Sequence, residues 1–194
     1  MPQRLFGKAN PVRFRDATLA DAPRIAALHA ASWRRAYRGM LSDEYLDTDL
    51  ESDRTRVWVG RLTTPNPKQR VVLAEVSDQL AGFACAFGSE DPDLGTLLDN
   101  LHVRHDFQHQ GVGAKLMMQI ASWCRMEFAG EGLFLWVLEP NLQARRFYEN
   151  LGGTKVGEEV WQSPDGGAIP SLCYAWSNLA QLILTLTLRT TKTQ

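Results

Sequence analysis

The sequence predicts an α/β (α+β) fold on a mixed central sheet, and three observations carry that prediction. Strand-like and helix-like stretches alternate along most of the chain, the pattern of layered α/β architecture. Gly132 to Leu138, GLFLWVL, is an almost unbroken apolar run, as expected of a strand covered on both faces. Leu97 to Gly113, LLDNLHVRHDFQHQGVG, passes from an apolar strand through a polar turn into a long amphipathic segment. With GLFLWVL behind it, that segment makes a right-handed strand, helix, strand unit.

Val12 to Arg15 forms a short strand, and Thr18-Leu19-Ala20-Asp21 has the form of a capping box, with Pro23 suited to a first helical turn. Ile25, Leu28, Trp33 and Tyr37 then recur near helical spacing as far as Gly39, which marks helix one. A shorter helix runs from about Ser52 to Leu62 through Val57, Trp58 and Leu62. Val71 to Val76 and Leu80 to Phe87 are strands joined by a hairpin at Ser77-Asp78-Gln79, and Gly88 to Gly95 is a loop. The strand Thr96 to Val103 follows. From Gly111 to Phe128 the apolar positions Val112, Leu116, Ile120, Cys124 and Phe128 recur every three or four residues, so this helix lays one face on the sheet. After GLFLWVL, Glu139-Pro140-Asn141 turns into a helix that ends at Leu151 with Gly152-Gly153 as its C-cap. Thr154 to Trp161 and Ile169 to Trp176 form a closing hairpin, and the tail 183–194 is an added strand or disordered.

Length and composition bound what such a chain does. Its 194 residues suit one domain, with a core over about 11–182. A hydrophobic fraction of 44%, 22% charged residues and a net charge of −1 give no general attraction to nucleic acid or anionic membrane. No span approaches the roughly 20 apolar residues of a membrane crossing, and Met1 to Asn10 lacks a signal-peptide pattern. Cys85, Cys124 and Cys173 are distant from one another and lie among apolar residues, the usage of buried free thiols in a reducing cytoplasm. Neither a metal-ligand cluster nor a Gly-x-x-x-x-Gly-Lys phosphate loop is present.

The turn before the long helix has the chemistry of an anion site. The first amides of a helix lack intrahelical partners, and the helix dipole adds roughly half a positive charge there. Gly111 and Gly113 keep side chains away from those amides, and Gln108 adds an amide donor. The order Gln108-x-x-Gly111-x-Gly113 resembles the Q/R-x-x-G-x-G/A signature of the GNAT superfamily of acyl-CoA-dependent N-acetyltransferases. Leu101-His102-Val103 is similar to that family's fourth strand, and Asn141-x-x-Ala144-x-x-Phe147-Tyr148-x-x-Leu151-Gly152 to its later cofactor-side helix. His105 and His109 depart from the pattern, standing where proline and glycine are frequent.

The resemblance implies a sheet of about six to seven strands flanked by about four helices, with a splayed parallel strand pair holding acetyl-CoA. It implies that the backbone of Leu101, His102 and Val103 meets the pantetheine arm, and that His109, Gln110, Gly111, Val112, Gly113, Ala114 and Lys115 hold the pyrophosphate. Asn141, Ala144 and Phe147 would complete the cofactor side, with Tyr148 as general acid for the departing thiolate. For the base, Asp99 or Glu75 acting through a water is expected, and His102 has the most suitable unperturbed pKa. Trp33, Tyr37, Tyr45 and Trp58 line an acceptor pocket or, equally, pack the core. The acceptor is a small-molecule amine or the amine of a peptide or protein. No Cys or Ser lies in a nucleophile motif, in keeping with direct attack in a ternary complex. The alternative function is a non-catalytic acyl-CoA sensor. Family members often pair, and Leu179 to Leu188 is the segment expected to serve a homodimer.

Overall fold

A computed structural model describes residues 11–191. The signal-peptide expectation at Met1 to Asn10 and the end of the tail, 192–194, lie outside the described residues. Strands β1 (Arg13–Asp16), β2 (Gln69–Val76), β3 (Gln79–Asp91), β4 (Gly95–Val103), β5 (Leu133–Leu138), β6 (Thr154–Gln162) and β7 (Ala168–Trp176) form one mixed sheet in the order β1-β2-β3-β4-β5-β7-β6. Its pairs are antiparallel except β4 with β5, which is the parallel pair closed by the crossover helix.

Helices α1 (Ala22–Ala36) and α2 (Leu50–Thr63) cover one face. Ile25, Leu28 and Trp58 close there on Leu73, Phe83 and Cys85, which are the odd-numbered, one-sided residues of β2 and β3. Helix α3 (Val112–Glu127) covers the other face, where Leu116, Ile120 and Cys124 meet Val72, Ala74, Ala84 and Ala86. Helix α4 (Leu142–Asn150) adds Tyr148, and Leu151 follows it into the same core. The loop expected from Gly88 to Gly95 is shorter, because β3 continues to Asp91 and pairs with β4 through Asp91 and Gly95.

The tail departs most from expectation, neither a strand nor disordered as far as Thr191. It forms a fifth helix, α5 (Leu179–Thr191), against an expected four. The LTLTL alternation conceals a helical spacing in which Leu179, Leu182 and Leu186 all enter the α3 core. Burying each of the last two is worth about 1.5–3 kcal/mol, which outweighs the strand propensity of the threonines between them.

Candidate active site

The site begins as a defect in β4. Cys85 of β3 pairs with Asn100, and the next residue, Ala86, pairs with Leu98, so Asp99 is an extra residue and β4 bends there. Ladder partners between β4 and β5 are confined to Thr96 with Leu133 and Leu97 with Phe134. Beyond them the strands part, and a cavity of about 1550 Å³ opens between Leu98–Arg104 and Leu135–Leu138.

Arg104 N–H donates to Ala81 O on β3. By strand alternation His102 N–H also faces β3, while Leu101 and Val103 direct theirs into the gap. The side chains alternate in the other sense. Leu101 and Val103 pack into the α3 core, and the His102 ring meets His29 of α1, with centroids 4.5 Å apart.

The turn after β4 delivers the N-terminus of α3 to the mouth of this gap, where His109, Gly111, Val112, Gly113 and Ala114 line the cavity. Gly111 is left-handed at φ 77°, and a Cβ there would meet nothing within 4 Å, so its need for glycine is conformational. Gly113 is different. A Cβ would stand 3.6 Å from Val103 Cγ2 and 3.7 Å from Phe147 Cζ, at ordinary contact distance from two side chains that line the channel. His109 adopts φ 59°, which explains physically why a glycine suits that position. His109→Gly is expected to stabilise the fold by about 1 kcal/mol, measurable as a higher urea midpoint.

Asn141 caps α4, its Oδ1 accepting from Ala144 N at 3.2 Å. That cap sets the rotation of the helix so that Ala144, Phe147 and Tyr148 line the cavity. Tyr148 is 9% exposed, and its hydroxyl has no hydrogen-bond partner among the described residues. Burial, and then the neighbouring Tyr37 phenol, push its pKa up, so the proton stays on.

The opposite wall comes from α1, α2 and the β6–β7 hairpin. Trp33 makes edge contacts with His29 at 5.0 Å and Trp161 at 5.9 Å, and Tyr37 leans on it at 5.2 Å. Burial pushes the Tyr37 pKa up to about 12. His102 is held down to about 4 by burial and then by the charge of Arg54, so it is a neutral imidazole at pH 7. Trp58 Nε1 donates to His29 Nδ1 at 3.0 Å. An indole only donates, so the proton of neutral His29 is on Nε2. Burial, then the charges of His102, Arg54 and Arg61, hold His29 well below its ordinary range.

A splayed parallel pair, a glycine turn into a helix and a buried phenol across one cavity set the context for comparison. The sequence model of the acetyltransferase (GNAT) family matches residues 19–153. The chain belongs to the GNAT family of acetyltransferases. It is 28% identical over 173 residues to a probable N-acetyltransferase of Mycobacterium tuberculosis, covering 86% of this chain and 94% of the relative. An uncharacterized N-acetyltransferase of Bacillus subtilis is 26% identical over 174 residues, 88% and 96% of the two chains. Among solved structures, the PaiA N-acetyltransferase of Thermoplasma acidophilum in complex with coenzyme A superposes with a TM-score of 0.63 at 16% identity, over 83% of this chain and 98% of that one. A GCN5-related N-acetyltransferase of Rhodopseudomonas palustris gives 0.69 at 19%, over 88% and 98%. These two likenesses concern the fold.

This GNAT acetyltransferase uses acetyl-CoA as acyl donor, and its channel fits that molecule. The backbone amides of Leu101 and Val103 face the gap, the α3 amides face its mouth, and Gly113 leaves free the space a side chain would take. Gly113→Ala is expected to hold or raise thermal stability, since alanine favours the helix, with coenzyme A binding nearly unchanged, because a Cβ there meets Val103 and Phe147 at ordinary contact distance and the signature accepts alanine at this position. A long side chain, Gly113→Leu, is expected to weaken coenzyme A binding about tenfold or more in calorimetric titration.

Gln108 lines the cavity, and its Nε2 donates to Val103 O at 3.3 Å, which ties the turn to the end of β4. Three sequence expectations are corrected by the geometry. Gln110 is exposed, donates to Asp106 O and is off the cavity. Tyr45 is buried outside the cavity, its hydroxyl given to Asp53 at 2.7 Å. Glu75 is also outside it, 4% exposed, and bonded to Arg13, Arg15 and Arg24. Those guanidiniums outweigh its burial and hold its pKa down to about 2, which removes it as a base.

Asp99 does line the cavity but accepts from Arg61 Nη1 at 2.6 Å. The wall also contains Arg54, Arg61, Glu159 and Trp161, which the sequence reading did not single out. Arg54, Val57 and Arg61 share one helical face at spacings of three and four, the only sequence signal for that wall.

Proposed function

We propose that this enzyme transfers the acetyl group of acetyl-CoA to a primary amine by direct attack in a ternary complex. The observation that carries the reading is that one cavity joins the splayed β4–β5 channel to a pocket whose lining includes a protonated phenol, Tyr148, and a neutral imidazole, His102. Bound there, acetyl-CoA supplies an electrophilic thioester carbon and a thiolate leaving group.

Leu101 or Val103 N–H donates to the carbonyl oxygen as negative charge gathers on it. The burial and cationic field that keep His102 neutral equally disfavour an ammonium in the same place, so the pocket selects the neutral amine. As the C–N bond forms, the nitrogen sheds its proton to a water in the cavity, and as the C–S bond breaks, Tyr148 gives its proton to the sulfur. The proton taken by water returns through solvent to the phenolate. His102, a neutral and weak base at about 4, accepts a hydrogen bond from that water and does not hold the proton, while Glu75 is remote and Asp99 is already engaged by Arg61.

The test is release of free thiol from acetyl-CoA against a panel of small amines and peptides, beside a titration of acetyl-CoA binding. Release that depends on an amine, with the acetylated amine recovered in equal amount, supports the reading. Tight binding with no release from any amine would favour the sensor alternative. A cytoplasmic setting belongs to the same proposal, in keeping with the buried free thiols Cys85, Cys124 and Cys173. A homodimer through α5 would use the exposed Leu184 and Leu188, because Leu182 and Leu186 are spent on α3. Sedimentation of Leu184→Glu would test it.

A further inference from the structure

We propose that Arg54 recognises the acceptor through a carboxylate, so that the substrate is an amine carrying a carboxylate close to its amino group, as in an amino acid. The inference rests on the N-acetyltransferase reading and names the substrate class of that same pocket.

Arg54 lies on α2 with its side chain 12% exposed, and it lines the cavity. Its guanidinium stacks over Trp33, with Cζ 4.5 Å from the ring centroid, and is thereby fixed in orientation. A guanidinium has five N–H donors. The protein satisfies one group of them, Nη2, through Asp53 Oδ2. Nε is buried without a partner. Nη1 has no hydrogen-bond partner among the described residues and is absent from the buried atoms, so on a cavity-lining side chain it opens to the cavity.

The counter-charge is incomplete as well. Asp53 accepts from Tyr45 hydroxyl at 2.7 Å and from Arg56 Nη1 at 3.2 Å in addition to Arg54, so one carboxylate is shared by two guanidiniums and a phenol. Leaving a buried cation this poorly paired costs stability, and a substrate anion removes that cost on binding. Arg54 stacks on Trp33, which Tyr37 contacts, and lines the same cavity as Tyr37 and His102, so the anion site belongs to the acceptor side of that cavity.

The chemistry of the wall favours a carboxylate over a phosphate dianion. A monoanion matches one under-neutralised guanidinium. A dianion needs a second, and the other α2 guanidinium in the cavity, Arg61, is held by Asp99 at 2.6 Å and Asn100 Oδ1 at 2.9 Å. The aromatic floor of Trp33, Tyr37 and Trp161 accommodates the remainder of the acceptor.

The test compares the common amino acids with their decarboxylated amines and with their carboxamides, for example phenylalanine with 2-phenylethylamine and phenylalaninamide. Both thiol release and calorimetric binding to the coenzyme A-loaded enzyme are measured, for wild type, Arg54→Met and Arg54→Lys. A carboxylate preference of about 10²-fold or more in kcat/KM is expected. It collapses in Arg54→Met chiefly through KM and is partly rescued in Arg54→Lys, while coenzyme A binding and the melting temperature keep the two variants comparable.

Equal turnover of matched amines with and without the carboxylate, or a preference that survives in Arg54→Met, overturns the inference and leaves acetyl transfer standing. Arg54-dependent binding of amino acids with no turnover upholds the inference and sinks the transfer reading. Binding of no carboxylate-bearing amine overturns the inference.

Discussion

Tyr148→Phe is expected to lower kcat by about 10²- to 10³-fold, the span of a lost general acid, with the KM for acetyl-CoA and the melting temperature nearly unchanged. The physical reason is that the substitution removes one atom that the fold does not use. The ring keeps its edge contacts with Phe147 at 5.3 Å and Trp176 at 6.1 Å, and the hydroxyl has no hydrogen-bond partner to lose among the described residues. What goes is the proton donor proposed for the leaving sulfur. A pre-steady-state measurement of thiol release at saturating acetyl-CoA isolates that step. Full activity in the variant would remove Tyr148 from the chemistry. A Tyr37→Phe variant offers a control, since its phenol neighbours that of Tyr148 but stands on the acceptor wall.

The second large effect falls on stability. Glu75→Gln keeps the volume but leaves Arg15 and Arg24 to share Asp21, which already binds both at 2.7 Å, and leaves Arg13 only the exposed Asp78 at 3.7 Å. Breaking a buried network this way costs about 3–5 kcal/mol. The lower figure applies here because the three guanidiniums are 33–65% exposed. A loss of about 3 kcal/mol lowers the melting temperature by roughly 6–12 °C, with activity per folded molecule retained, since Glu75 is off the cavity.

Acid exposes the same network. Glu75 is displaced from its ordinary 4.5 to about 2 in the folded state. A depressed carboxylate contributes stability that is complete above 4.5 and is lost as pH falls toward 2, in all about 3 kcal/mol. An earlier loss precedes it. His102, at about 4 when folded against 6.5 ordinarily, takes up its proton first in the unfolded chain, so stability declines as pH falls from 6.5 to 4, with His29 acting in the same direction. Urea unfolding across that range is expected to show both stages in the wild type, and Glu75→Gln to keep only a smaller lower one, from Asp21, whose pKa the Arg15 guanidinium also holds below the usual carboxylate range.

Local grammar made much of this legible. The glycine turn, the helix periods and the apolar GLFLWVL run each encode one element through neighbours a few residues away, and all are present at nearly the expected boundaries. The fit of Gly113 and the cap at Asn141 follow from the same short-range logic. Arg54 and Arg61 were available as a helical spacing, but a spacing does not say whether a face meets water or a cavity. The α5 helix was hidden because alternating Leu and Thr satisfies two periods at once, and only α3 supplies the apolar surface that selects the helical one.

By itself, then, the sequence determined the order of elements as far as β7, the anion-ready turn and the family to which its motifs belong, because those depend on residues close in the chain. The tertiary structure alone decided which charges are free to act. Glu75, Asp99 and Tyr45 looked available, and each is engaged by a side chain from another element: the arginines of β1 and α1, Arg61 of α2, and Asp53 beyond one helical turn. His102 came to line the cavity for the same reason in reverse. Strand alternation turned its backbone to β3 and its ring to α1, and burial beside Arg54 then kept it neutral. Protonation and availability are set by partners that packing brings from far along the chain, and no local pattern records them.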